Sequence, residues 1–263
     1  MTLAMINIIK ADAFRLRKSK VILGIIIGLL MVLMLGNFMA LNGDGKMTFM
    51  SDTLNLNEVT YSLQGSKIMP ELLKGSNILL FFLIPIVLNI FISEFKFSTI
   101  KNTVSYKYKR TQIYFSKFIL CSILCFLLIL SYVGIGLILN LAFNKMQGTI
   151  EIQDFILTIK IILTQMPIYI GIVALMLLIG ILFQSSTAVI LITILYPFLI
   201  TIVAYALKIK DISSYEPVTC LDKAAYFMSL TNREIIQLVV IGVIMIAFSL
   251  LFGLLIYNRR DFK

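Results

Sequence analysis

A chain of 263 residues that is 60% hydrophobic, only 14% charged and +10 in net charge departs from an ordinary soluble domain, which is about 45–50% apolar and about 25% charged. Histidine and tryptophan are absent, which removes the imidazole base and the commonest haem and zinc ligand. Cys121, Cys125 and Cys220 are too few and too scattered for a disulfide framework. The first two share one face of a predicted apolar helix, as small buried thiols.

The chain opens on a basic stretch. Met5–Lys20 sets Lys10, Arg15, Arg17, Lys18 and Lys20 among Ile6, Ile9, Ala13 and Leu16. This pattern predicts an amphipathic interfacial helix within residues 1–20, or a basic flank that anchors the first span. The apolar run that follows is longer than a signal-peptide core and has no small-residue cleavage site after it. A bilayer core needs about 20 helical residues. Six segments meet that length: Val21–Leu41, Ser76–Ser93, Phe118–Leu141, Ile161–Phe183, Thr187–Leu207 and Ile235–Tyr257. The expected fold class is all-α: one polytopic membrane domain over residues 1–263, with six transmembrane helices and both termini cytoplasmic.

The connections then sort by charge. Residues 42–75 and 208–234 are expected outside the membrane. The former is read as a loop with one short helix, and the latter contains a less polar Leu221–Leu230 that is either a surface helix or one dipping back toward the bilayer. The amino terminus, loop 94–117, turn 184–186 and the tail are expected inside. They hold fourteen basic residues against three acidic ones (Asp12, Glu94 and Asp261), a net of +11, while the rest of the chain sums to −1. This satisfies the positive-inside rule. It also explains the basic charge through membrane lipids and soluble partners, with no nucleic-acid motif competing. On this topology Cys220 is expected to react from outside, and a cysteine placed at Ser105 only from inside.

Little in the chain suggests catalysis. Gly43–Asp44–Gly45–Lys46 lacks the spacing of a phosphate loop and a strand before it. No pair of aspartates lies within the apolar runs, and these runs offer no acid at membrane depth for proton or sodium coupling. Their notable polar groups include Asn37, Asn89 and Gln165. Gly24 and Gly28 form a G-x-x-x-G pair that permits close helix contact. Pro85, Pro167 and Pro197 imply kinks. These eight residues are candidates for a pathway or for helix packing.

The most informative stretch runs from Glu94 to Lys117. Composition makes it a basic inner loop. The order of Glu94, Thr99, Ile100, Lys101, Asn102, Ser105, Arg110, Ser116 and Lys117 resembles the loop after the second span of ABC-2 type transporter permeases. The resemblance is to small six-span exporters of the bacitracin-resistance, lantibiotic-immunity and phenol-soluble modulin kind. Ser98 stands where these have glycine, and Lys109 where serine precedes the arginine.

The resemblance implies a bacterial plasma-membrane permease that pairs as a homodimer or heterodimer and works with two cytoplasmic ATP-binding subunits. ATP and Mg would sit in those partners, and no cofactor or metal in this chain. Loop 94–117 would be a coupling helix. Glu94, Thr99, Lys101, Asn102, Ser105, Lys107, Lys109, Arg110 and Lys117 would link it to the ATPase. The cargo would be amphipathic or antimicrobial peptides. Drug or lipid export by such a permease, a self-contained secondary transporter or channel, and a non-transporting membrane anchor are the competing readings. Copurification with an ATPase and gradient-driven flux separate them.

Overall fold

The computed structural model describes residues 3–42, 46–50, 58–62, 68–93, 109–143, 151–206 and 215–259. Helix α1 (Leu3–Lys18) buries Ile8, Asp12 and Leu16, spaced one turn apart, and leaves Lys10, Arg17 and Lys18 exposed. Ser19 ends it. Its N–H reaches the carbonyls of Arg15 and Leu16 at 3.1 and 3.0 Å, and its hydroxyl donates to Leu16 at 2.7 Å. These bonds satisfy groups that a continuing helix would use itself. Helix α2 (Lys20–Asn42) then leaves at a bend of 62°.

Strands β1 (Lys46–Met50) and β2 (Glu58–Ser62) pair antiparallel, from Lys46 opposite Ser62 to Met50 opposite Glu58. The expected loop over 42–75 therefore contains a ribbon as well as helix α3 (Ile68–Lys74). After a 3-10 turn at Ser76–Ile78 comes α4 (Leu79–Val87), which holds Pro85, and then a π-helical turn at Leu88–Ile92. Pro85 has no N–H to offer the carbonyl four residues back.

Helices α5 (Arg110–Phe143) and α6 (Ile152–Phe183) are the two longest. Gln184 closes α6 in the left-handed region (φ 50°), its N–H bonded to the Gly180 carbonyl at 2.9 Å, as an αL cap does. Helix α7 (Ser186–Ala206) starts two residues later. Helix α8 (Pro217–Ala225) is capped by Glu216, whose carboxylate accepts from the N–H groups of Val218 and Thr219 at 2.9 and 2.7 Å. Helix α9 (Asn232–Arg259) begins with a reciprocal capping box between Thr231 and Glu234.

The structure corrects the expectation of six spans. Among the described residues, three helices are long and apolar enough to cross a membrane: Arg110–Ala142, Ile152–Phe183 and Asn232–Arg259. A fourth is reached if the bent pair Met5–Lys18 and Lys20–Gly36 counts as one span. The apolar helices Ser76–Ile92 and Ser186–Ile200 are shorter. At about 1.5 Å per residue Ser76–Ile92 reaches roughly 25 Å, against a hydrocarbon core of about 30 Å. An apolar run states what lipid tolerates, not that the backbone within it is one unbroken helix of sufficient length. Three crossings would put the two termini on opposite sides of the membrane, so the cytoplasmic placement of both falls with the six-span layout. The chain is a polytopic α-helical membrane protein.

Helix α6 is central. Its most apolar window is 61% buried, against 39% for α5 and 17% for α9. The pair α6–α9 is the most extensive contact between helices. Pro167 meets Gly242 and Gly171 meets Met245, so residue numbers rise together and the two helices run parallel. Large apolar side chains such as Leu23 and Met31 on α2, Leu163 on α6, and Ile244 and Leu251 on α9 stay exposed, as expected where lipid is the outer solvent.

Candidate functional site

The described part of the basic loop is its exit, Lys109 through Lys117. Glu94, Thr99, Lys101, Asn102, Ser105 and Lys107 lie outside the described residues. Lys109 is exposed, and its backbone N–H caps onto the Gln112 side-chain oxygen at 3.4 Å. Arg110, half-buried, donates from Nη1 to the carbonyl of Asn258 in the last turn of α9 at 2.9 Å. A guanidinium suits that place because the final carbonyls of a helix have no intrahelical donors and carry partial negative charge.

Lys117 is 1% exposed, and its ammonium sits 2.6 Å from Asp12 Oδ2. Asp12 also faces Arg15 at 3.4 Å, and Arg15 reaches the Ile90 carbonyl in the π turn at 3.2 Å. The two basic side chains at the start of α5 are thus each fixed to another element, α1 or α9. An aromatic group fills the space between them. Phe91 lies 6.2 Å from Tyr114 and 6.3 Å from Tyr257, and the two tyrosine rings are 5.7 Å apart. Gly253 lets the Tyr114 hydroxyl approach α9, since any Cβ there would collide with it.

At the opposite end a second polar group forms. Gln165 is fully buried, and its amide nitrogen donates to Ser76 Oγ and the Leu221 carbonyl, each at 3.2 Å, and to the Leu73 carbonyl at 3.4 Å. Tyr169 donates to the Ser76 carbonyl at 2.7 Å, and Asn77 to Asp222 at 2.6 Å. Gln165 therefore ties α3, the 3-10 turn and α8 to α6. A buried amide with these partners reads as structural glue.

The other candidates are dispersed. Gly28 faces Phe82, whereas Gly24 has open space around it. The backbone of Asn37 belongs to α2, and its side chain lies outside the described residues. Asn89 is half-buried in the π turn, where its carbonyl accepts from Ser93. Pro167 forms the contact surface for Gly242, and Pro197 is buried in α7. They do not converge on one cavity.

Asp12, Ser76 and Gly242 are site residues to which the sequence reading assigns no role, whereas Tyr169 stands among the polar groups of the apolar runs. Asp12 had a signal: it is the only acid among the basic residues of α1, one turn from both Ile8 and Leu16. Gly242 had none, because a lone glycine in an apolar run does not announce its partner.

Cys220 corrects the labelling expectation. It is fully buried in α8, and burial pushes its thiol up to about 12. The reactive thiolate is present above that value and lost below it, so at neutral pH little is available. A maleimide is expected to leave Cys220 unmodified in the folded protein and to react once the protein is denatured. Quantitative labelling before denaturation would contradict its placement.

Among the described residues, no group of three or more Cys, Asp or Glu side chains is arranged to hold a metal ion. Comparison with curated proteins found no match, and comparison with solved structures found none either. A family model does match, over residues 21–263, which is nearly the whole chain. The chain belongs to the family described as "Protein of unknown function (DUF2705)".

Proposed function

We propose that this polytopic protein is the membrane-spanning subunit of an ATP-driven exporter in the bacterial plasma membrane. It carries amphipathic or antimicrobial peptides and is energised by separate ATP-binding subunits, two per complex, together with a second permease subunit. The resemblance of loop 94–117 supports this reading, as does the scarcity of acids within the apolar helices. One structural observation favours the coupling role most. Arg110 and Lys117, at the exit of that loop, are locked to the end of α9 and to α1. A displacement of the loop by a partner would be delivered to three helices together, not absorbed by one.

The test is copurification in mild detergent with the ATP-binding protein, followed by transport in vesicles. Lys101→Glu with Lys107→Glu is the informative variant, because it lowers the net charge of residues 94–117 from +5 to +1 while leaving Arg110 and Lys117 themselves in place. Loss of the ATPase from the complex, with the membrane subunit still folded, is the expected result. An ATPase-free protein that drives gradient-dependent flux would overturn the proposal.

A further inference from the structure

A groove of about 790 Å³ opens between the start of α6, α3 and the segment after α8. Its charged lining comprises Glu71, Lys74, Glu151, Asp154 and Lys160. Glu71 and Lys74 neutralise each other at 2.6 Å, and Lys74 also lies over the Tyr226 ring, 5.1 Å from its centre. This leaves two carboxylates, Glu151 and Asp154, against Lys160.

The two carboxylates differ. Glu151 is exposed at the cap of α6 and makes no side-chain cap bond. Asp154 is 5% exposed, and its Oδ2 is buried with no hydrogen-bond partner. A buried carboxylate oxygen without a partner is costly. The first turn of α6 provides only partial positive charge, so a cation is the natural complement. Around it the walls are apolar, with Leu157 and Ile161 on α6 and Phe227 and Met228 across from them. Outside the groove, Ile152, Phe155, Ile159 and Leu163 form an exposed apolar stripe on the same helix. A ligand reaching the groove along this stripe would carry hydrocarbon.

We propose that this groove binds the ammonium group of an amphipathic molecule, with Asp154 as its counter-ion and Leu157, Phe227 and Met228 against its apolar body. The ammonium would give the Asp154 carboxylate the cationic partner it lacks and form a charge-assisted hydrogen bond in a site of low dielectric. Glu151 at the rim would attract the cation and strengthen the bond at lower cost, being hydrated. This assignment stands whether or not the chain is an exporter.

The chain has no tryptophan, so Met228→Trp, at a position 80% exposed on the groove wall, provides a single fluorescent reporter. In phosphatidylglycerol nanodiscs, octylammonium is expected to give a saturable emission change. Octyl sulfate and octanol are expected to give none. Asp154→Asn, which keeps size and position, should weaken octylammonium at least ten-fold, and Glu151→Gln about three-fold. Glu151→Gln removes no structural bond, so it keeps the test decisive if Asp154→Asn does not fold.

Replacing part of the lipid with phosphatidylethanolamine distinguishes the ligand's source. Competition with octylammonium identifies a lipid headgroup, and unchanged affinity identifies a soluble amphiphile. Either result requires the saturable site. A response that does not saturate, that is equal for octyl sulfate, or that is unaltered in both carboxylate variants would overturn the proposal and leave a water-filled groove.

Discussion

Gly242→Ala is expected to lower the stability of the folded protein by about 1–3 kcal/mol, the range typical of overpacking a close contact. A Cβ at this position would lie 2.6 Å from the Pro167 carbonyl carbon and 2.8 Å from the Ile168 nitrogen. These are backbone atoms, which cannot rotate away as a side-chain tip does, so α6 and α9 would have to separate. The separation would be felt widely, because this is the most extensive helix pair and α6 is the most buried of the long helices. Pro167 sharpens the effect: its missing N–H already interrupts the hydrogen-bond ladder of α6 at that level. Gly24→Ala is the matched control. Nothing lies within 4 Å of its Cβ, so the better helix propensity of alanine should leave stability equal or raised by up to about 1 kcal/mol. Thermal unfolding midpoints in detergent, read for both variants side by side, measure the difference. Equal midpoints would mean that the close parallel approach of α6 and α9 is wrong.

The same helices show what could be read in the sequence. Long blocks such as Phe118–Leu141 and Ile161–Phe183 state their environment through composition alone, and both lie inside helices that qualify as spans. Ser76–Ser93 is equally apolar, yet it divides into a 3-10 turn, a nine-residue helix and a π turn. Pro85 hinted at the break, but composition assigns no length to the pieces on either side. The first block, Val21–Leu41, lies whole within α2, and the bend that sets α1 off from it is fixed by the Ser19 hydroxyl returning to Leu16, a local bond that hydropathy does not register. The ribbon over Lys46–Met50 and Glu58–Ser62 had a signal in Thr48, Phe49, Val59, Thr60 and Tyr61, all strand-favouring residues. Two five-residue runs between apolar helices are easily read as loop.

Sites depend still more on distant partners. Gln165 stood out as a polar residue in an apolar helix. Its role required Ser76 and the Leu221 carbonyl, 89 and 56 residues away. Lys117 stood out as loop charge, yet it is one of the most deeply buried side chains. The sign of a residue is visible in the sequence, whereas the residue that answers it is set by tertiary contact.

Lys117→Met is expected to be among the most damaging single substitutions, at about 3–5 kcal/mol, because it leaves a carboxylate buried without its principal cation. Asp12 is 6% exposed and would retain only Arg15, at 3.4 Å from a side chain that is itself 41% exposed. Asp12→Asn should cost a comparable amount from the other side, since Lys117 is 1% exposed. The double variant Asp12→Leu with Lys117→Met removes both charges and fills the space with carbon. It should cost far less than the two singles together, because replacing a whole buried pair by apolar groups is often close to neutral. That difference makes the pair experimentally useful. If the pair serves only stability, the double variant should fold and work. If it carries motion from loop 94–117 into α1, the double variant should fold, keep its bound ATPase and lose transport. Unfolding midpoints for the four-membered cycle give the coupling energy, and vesicle flux on the stable double variant gives the function. A double variant with full flux would remove Asp12 and Lys117 from the coupling route and leave Arg110, through the Asn258 carbonyl, as the described link between the loop and another helix.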